Sequence, residues 1–218
     1  MAITVYFVRH GQTYLNLFHR MQGWADAPLT DKGRRDAARA GEALKNVDFD
    51  YLFSSDLKRT VDTAKILLAH HPSTKVKAPM PDPAFREVFF GYFEGVDTQQ
   101  TALMVSAPNF RNDLADEIRK AGTDHILQRM HDVDPYHEAE SPEAFWKRFG
   151  AGLDGLRRLP DGKTVVVVCH GMAINCMAHR YGNQESSLVG PQNGSITKFT
   201  LTKDSTHLDF YDQLSLPE

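Results

Sequence analysis

The chain has 218 residues, a formal net charge of −3, 41% hydrophobic and 24% charged residues. That length suits one large domain with a real core, and the composition is that of a water-soluble globular protein. It excludes a broad basic field for gripping a nucleic-acid backbone, and no apolar run is long enough to span a bilayer. Any anion site must therefore be a local cluster of positive groups. The two cysteines, Cys169 and Cys176, form no CxxC pair and read as reduced thiols, so the expected setting is cytoplasmic.

In chain order, Ile3 to Val8 is a near-continuous apolar run, which predicts a strand buried on both faces. Its lack of a basic start and its stop at Arg9-His10 argue against a secretion signal. Thr30 predicts the cap of a helix to about Asn46, with Ala37, Ala40 and Leu44 on one face. Tyr51-Leu52-Phe53 predicts a second strand ending in Ser54-Ser55. A helix from about Asp56 to His70 is expected to bury a stripe of Leu57, Val61, Ala64 and Leu68. Lys75 to Ala78 is expected as a third strand, after which Pro79, Pro81 and Pro83 force an extended loop. From about Val96 to Glu140 the chain turns polar and short-helical, which predicts a helical insertion. Ser141-Pro142-Glu143 starts the next helix, with a cap, a first-turn proline and an acid at the positive dipole end. Its core face is Phe145, Phe149, Gly152, Leu153 and Leu156, and Pro160-Asp161-Gly162 ends it. Val165 to Val168 is the clearest buried strand, followed by a helix to about Tyr181. Ile196 to Leu201 and His207 to Tyr211 pattern as a hairpin around Lys203-Asp204-Ser205. The alternation predicts an α/β fold, a three-layer α/β/α sandwich with a mostly parallel sheet, as one domain over residues 1–218 with a lid-like insertion at about 97–140.

Two histidines stand in matched positions. Val8-Arg9-His10-Gly11 follows the first strand and Val168-Cys169-His170-Gly171 follows the strongest later one. Ligands of open α/β sheets bind beyond the carboxyl ends of the strands, so neighbouring strands would aim both histidines into one crevice. The glycines allow tight turns into helices, whose free N–H groups bind anions. Arg9, at the end of an apolar strand, needs an anionic partner, and a phosphate would suit its bidentate fork. Spacing alone leaves Arg59 open between a phosphate contact and a surface salt bridge. From its residues alone Glu87 reads first as an ion-pair partner of Arg86 or another arginine, and second as an acid in an apolar pocket. His125, His131 and His137 recur at a spacing that leaves one helix face, and read as surface residues. His70-His71 reads as a helix end, and Trp24 and Trp146 as packing residues, with Trp24 near the site's mouth.

Taken together, Arg9-His10-Gly11-Gln12-Thr13 with Asn16, then Gln22-Gly23 with Asp26, Pro28-Leu29-Thr30 and Gly33, resembles the signature of the histidine phosphatase superfamily, the branch with cofactor-dependent phosphoglycerate mutases. Ser54-Ser55-Asp56-Leu57-Lys58-Arg59-Thr60, Phe85-Arg86-Glu87 with Gly91 and Glu94-Gly95, Cys169-His170-Gly171 and Asn193-Gly194-Ser195-Ile196 are similar to its later blocks, in order. The resemblance implies His10 as the nucleophile that takes the phosphoryl group and Arg9, Arg59 and His170 as the rest of the phosphate pocket. It implies Glu87 as proton donor to the leaving oxygen, and Asn16, Gln22, Gly23 and the N–H of Gly171 as further phosphate contacts. No metal and no cofactor are expected, since the arginines supply the positive charge. The expected partner is a small phosphorylated metabolite, with no nucleic acid and no membrane, and a homodimer is compatible with the sequence. The reaction expected is hydrolysis of small phosphate monoesters through phosphohistidine, because Glu87 is followed by the apolar run Val88-Phe89-Phe90-Gly91-Tyr92-Phe93, as in the family's phosphatases. The alternatives are a phosphoglycerate mutase and a non-catalytic phospholigand-binding module.

Overall fold

A computed structural model describes residues 2–72, 75–106, 114–182 and 190–217. At the centre, β1 (Ala2–Arg9) pairs in parallel with β4 (Thr164–Cys169), and β4 pairs in parallel with β2 (Tyr51–Ser54). A short β3 (Met80–Pro81) completes that edge in parallel with β2. On the other side β5 (Ile196–Thr202) runs antiparallel to β1 and forms a hairpin with β6 (Thr206–Gln213). The order is β3-β2-β4-β1-β5-β6, a mostly parallel core with an antiparallel edge.

The four valines Val165 to Val168 are all fully buried because each face of the sheet is covered. One face packs Val8, Leu52, Val166 and Val168 with Ala40 and Leu44 and with Ala64 and Leu67. These last two pairs belong to the α2 (Asp31–Ala43) end and to α3 (Lys58–Ala69), whereas α1 (Tyr14–Leu17) is a single turn capped by Thr13. The opposite face packs Val5, Phe7, Val165 and Val167 against Phe145, Phe149 and Leu153. The helical insertion supplies α4 (Thr98–Ser106), α5 (Leu114–Ala121) and α6 (Thr123–Val133). It is followed by α7 (Pro142–Arg157) and α8 (Gly171–Tyr181). Two apolar cores on two faces of one sheet make the expected three-layer α/β/α sandwich.

Ser141 caps α7 as expected, and the buried residues of α7 are the five predicted. Two expectations fail. Lys75 to Ala78 forms no strand; the third strand is Met80–Pro81, within the predicted loop. It is an edge strand, where the N–H that Pro81 lacks removes no interior ladder bond. The buried face of α3 is Arg59, Thr60, Thr63, Ala64 and Leu67; of the predicted Leu57-Val61-Ala64-Leu68 stripe only Ala64 is buried and the other three are half-buried. Apolarity misled because the helix turns a cation and two hydroxyls inward, towards the ends of β1 and β4.

Candidate active site

Pairing of Arg9 with Cys169 brings the two His-Gly turns side by side, with the rings of His10 and His170 5.3 Å apart. The turn after β1 lies hard against the start of α2. A Cβ on Gly11 would fall 2.1 Å from the Gly33 carbonyl oxygen, backbone against backbone, so no side chain fits. The last block of the sequence braces this turn. Asn193 Nδ2 donates to the His10 carbonyl at 3.0 Å, and Gly194, at φ +71°, donates its N–H to the Arg9 carbonyl at 2.9 Å.

Arg59 is wholly buried between the two histidines. Its Nε donates to His10 Nε2 at 3.3 Å and its Nη2 to His170 Nδ1 at 3.0 Å and to the Gly23 carbonyl at 2.6 Å. Nη1 donates to the Ala25 carbonyl at 2.9 Å and to Asp26 Oδ1 at 3.1 Å. This rules out the surface salt bridge that spacing alone allowed. A lysine could not reproduce the fork, since its ammonium is a point charge on a flexible stem.

The hydrogen bonds fix both imidazole tautomers. His10 Nδ1 lies 2.8 Å from the Gly11 carbonyl, which only accepts, so Nδ1 carries the proton and Nε2 is bare. For His170, the Thr60 hydroxyl donates to the Leu57 carbonyl at 2.7 Å, so it accepts from Ser55 Oγ at 2.7 Å. Ser55 Oγ then accepts from His170 Nε2 at 2.8 Å, which leaves Nδ1 to take the Arg59 N–H. Both histidines are therefore neutral, and both are held well below the ordinary histidine pKa, first by burial and then by Arg59.

This has a consequence for stability. In the unfolded chain each histidine titrates near 6.5, whereas the folded protein keeps both neutral further down. The unfolded state thus binds more protons below that value, and the folded state loses stability as pH falls through it, with a limiting slope of about 1.4 kcal/mol per pH unit for each histidine. Urea midpoints measured from pH 7 to pH 5 should show this slope, and His170→Gln should make it shallower. An equal slope in the variant would contradict the neutral assignment of His170.

Glu87 is buried beside the start of α8. Its Oε1 accepts from the N–H of Ala173 at 2.8 Å and of Val88 at 3.0 Å, and its Oε2 from the N–H of Met172 at 2.9 Å. Burial raises its pKa against these three N–H groups and the Arg59 charge. Oε2 is the oxygen with room for a proton. Arg86 is not its partner, because Arg86 forms a bidentate pair with Asp56 at 2.6 and 2.5 Å. Trp24 packs on Phe89 at 5.1 Å and donates Nε1 to the Glu87 carbonyl at 2.9 Å, so the packing expectation for it holds. Trp146 donates Nε1 to Asp124 at 2.9 Å, remote from the two histidines.

A cavity of about 370 Å³ opens over His10. Of the expected site residues, Arg9, His10, Asn16, Gln22, Glu87 and Gly171 line it. Arg59 and His170 stand behind, without solvent exposure. Gly23 does not line it. The Gly23 N–H is taken by Glu94 at 3.1 Å and its carbonyl by Arg59, so it supports Arg59 and offers no free donor. A Cβ on Gly171 would meet Arg9 Nε at 3.1 Å and Cζ at 3.2 Å. Gly171→Ala should therefore displace the Arg9 guanidinium and raise KM for a phosphate ester more than it lowers kcat; an unchanged KM would exclude Arg9 as a binding group. The insertion reaches the cavity through Thr98, Ala115 and Ile118.

Sequence reasoning missed Glu94 as a structural centre. Its carboxylate accepts from four backbone N–H groups, those of Gly23, Trp24, Ala25 and Phe90, at 2.8 to 3.1 Å. It thereby ties the loop that faces Arg59 to the loop that carries Glu87. It also missed Arg148, which donates to Glu140 and to the carbonyls of Ala84, Arg86 and Glu87. Neither role leaves a local signal, because the partners are backbone groups remote in sequence. Of the insertion's histidines, His125 and His137 are exposed as expected, whereas His131 is half-buried with its Nδ1 on the Ala139 carbonyl at 2.7 Å. His71, at the end of α3, is buried on the carbonyls of Leu44 and Val47. Cys169 and Cys176 are buried free thiols.

The fold and site define an α/β sandwich protein with a cavity beside paired histidines and arginines at the carboxyl ends of its central strands. The sequence matches the histidine phosphatase superfamily (branch 1) over residues 5–213, and the chain belongs to that superfamily. It is 33% identical over 175 residues, 80% of this chain and 73% of the relative, to the probable phosphoglycerate mutase GpmB of Yersinia pestis. A phosphoglycerate mutase structure from Bacillus anthracis superposes with a TM-score of 0.89 at 30% identity, covering 98% of this chain and 94% of that one. A phosphoserine phosphatase structure from Entamoeba histolytica, 23% identical with a TM-score of 0.69 and covering 97% and 98% of the two chains, shares the fold.

Proposed function

We propose that this protein hydrolyses small phosphate monoesters through a phosphohistidine on His10. The observation that carries the reading is the tautomer of His10, neutral with its proton held on Nδ1 and the bare Nε2 set between Arg59 and the cavity. In the first step Nε2 attacks phosphorus in line as the bond to the leaving oxygen breaks, and Glu87 Oε2 gives that oxygen its proton. In the second, water attacks the phosphohistidine, its proton passes to Glu87, and phosphate leaves with His10 restored. Arg9, with Nε buried and unpartnered, supplies charge where the equatorial oxygens would lie. Water as acceptor is favoured by the apolar run after Glu87, of which Val88 and Phe93 are buried and Phe90 lines the cavity.

The names of the relatives favour a second reading, a mutase. Incubation with 3-phosphoglycerate, with and without a bisphosphoglycerate primer, separates the two. Phosphate release without isomerisation is expected; primer-dependent isomerisation without release would establish the mutase. A Glu87→Gln variant tests the proton donor. It should lower kcat on alkyl phosphates by roughly 10²–10⁴-fold and act far less on a nitrophenyl ester, whose leaving group needs no proton. Equal losses on both would remove Glu87 from that role.

A further inference from the structure

The hairpin that closes the sheet is irregular beside the site. Ile196 faces Gln213 and Lys198 faces Phe210, so Thr197 alone stands opposite Tyr211 and Asp212. That is a β-bulge, which bends the strand and re-aims the side chains of the extra residues. Asp212 adopts φ +54°, a left-handed backbone that side chains other than asparagine and aspartate seldom take, and its N–H donates to the Thr197 hydroxyl at 3.2 Å. Both bulge side chains then hold parts of the cavity wall. The Tyr211 hydroxyl donates to Asn175 Oδ1 at 3.3 Å, and Asn175 lines the cavity. Asp212 reaches the loop that carries Gly190 and Asn193, two further residues of that wall.

What Asp212 grips there is a single peptide unit. Its Oδ1 accepts from the Gln192 N–H at 2.7 Å. The carbonyl of that same unit, the Pro191 oxygen, accepts from Arg9 Nη1. A trans peptide is planar with its N–H and C=O opposed, so a fixed N–H fixes the direction of the carbonyl. The charges also match its dipole, a carboxylate on the N–H end and a guanidinium on the C=O end, and each bond polarises the unit in favour of the other. Among the described residues Arg9 has no carboxylate partner, its Nε has no partner, and the Pro191 carbonyl is the one acceptor of its guanidinium. Pro191 has no N–H of its own to anchor it, and the Gln192 carbonyl turns away onto the Ser195 N–H at 3.1 Å. The far end of the loop is secured separately. Asn193 Nδ2 donates to the His10 carbonyl, and the Asn193 carbonyl accepts from Arg39 Nη2 at 3.0 Å.

We infer that Asp212 is a positioning residue for Arg9: it sets the Pro191–Gln192 peptide, whose carbonyl holds the guanidinium at the cavity. Asp212 itself does not line the cavity. Without its carboxylate the Pro191–Gln192 peptide is free to rotate and Arg9 to swing, while His10 and Arg59 keep their own contacts. The loss should therefore fall on binding of the phosphoryl group more than on the chemical step.

Crystal structures of the wild type, Asp212→Gly and Asp212→Asn test this without turnover. Glycine removes the carboxylate and takes φ +54° freely, so the bulge should persist and the protein should melt close to the wild type. The Gln192 N–H then loses its acceptor, and Arg9 should leave the Pro191 carbonyl. Asparagine suits the same backbone and keeps an oxygen for the N–H, so it should retain both contacts. Arg9 still on the Pro191 carbonyl in the glycine variant, or equally displaced in both variants, would overturn the inference. So would a glycine variant that melts far below the wild type, since Asp212 would then serve the bulge alone. Only the kinetic arm rests on the proposed phosphatase site. On nitrophenyl phosphate, Asp212→Gly should raise KM about tenfold and lower kcat less than about threefold, and Asp212→Asn should recover most of that loss. A loss confined to kcat, an unchanged KM, or equal losses in both variants would count against Asp212 as decisively as the structures. Absence of turnover in the wild type would remove the phosphatase reading, and the three structures would still decide the role of Asp212.

Discussion

His10→Ala is expected to abolish phosphate release, lowering kcat by roughly 10⁴–10⁶-fold, and to abolish trapping of labelled phosphate on the protein. Nε2 of His10 is unprotonated, with the proton pinned on Nδ1, lies in a residue that lines the cavity, and gives its lone pair only to a 3.3 Å hydrogen bond from Arg59 Nε. His170 has its Nε2–H on Ser55, does not line the cavity and has no solvent exposure, so it does not substitute as nucleophile. The His10 variant should remain folded, since it opens space beside an existing cavity. Retention of a substantial share of wild-type turnover, or of label on the protein, would show that phosphoryl transfer does not pass through His10.

The second large effect belongs to Arg59. All five of its N–H donors are engaged, two of them on the bare nitrogens of the two histidines. Arg59→Met removes the charge from the pocket and should lower kcat/KM on the order of 10²–10³-fold or more. It also strands the Gly23 and Ala25 carbonyls, each a buried-acceptor penalty of about 1–3 kcal/mol. The sharper test is the pH profile. Arg59 disfavours the protonated form of His10, second only to burial. Without it the His10 pKa rises, and the acid limb of any residual kcat/KM should move to higher pH. Arg59→Lys should be nearly as damaging, because an ammonium cannot span His10, His170 and Asp26 together. A lysine variant close to wild type would mean that charge alone is needed, not the fork.

Much of the architecture was legible in residue order. The valine run of β4, the Ser141 cap and the matched His-Gly turns each carry a local signal that tertiary packing reinforces. The site was legible where chemistry and position coincide, as at Arg9, His10 and His170. It was ambiguous where a charged residue has two natural partners. Arg59 was separated from an ordinary ion pair only by seeing His10 and His170 on its guanidinium beside the Asp26 pair, and Glu87 only by seeing the N–H groups of α8 on its carboxylate. It was illegible where the partner is backbone or lies far along the chain, as with the four N–H groups on Glu94 and the Tyr211 hydroxyl on Asn175. The buried face of α3 failed for a related reason. A pattern scored on apolarity cannot anticipate a helix that buries its arginine.

The pairing of Thr4 through Arg9 with Thr164 through Cys169 has a kinetic side. The two strands that set the histidines against each other are separated by most of the chain, and closing so long a loop is slow relative to forming the helices between them. During refolding from urea, far-ultraviolet ellipticity should therefore return before phosphate release does. A partly folded chain would hold His10 apart from Arg59, in water and free to take a proton near neutral pH. On the proposed mechanism His10 becomes reactive only once the β1–β4 pairing has closed, so recovered activity would time that closure.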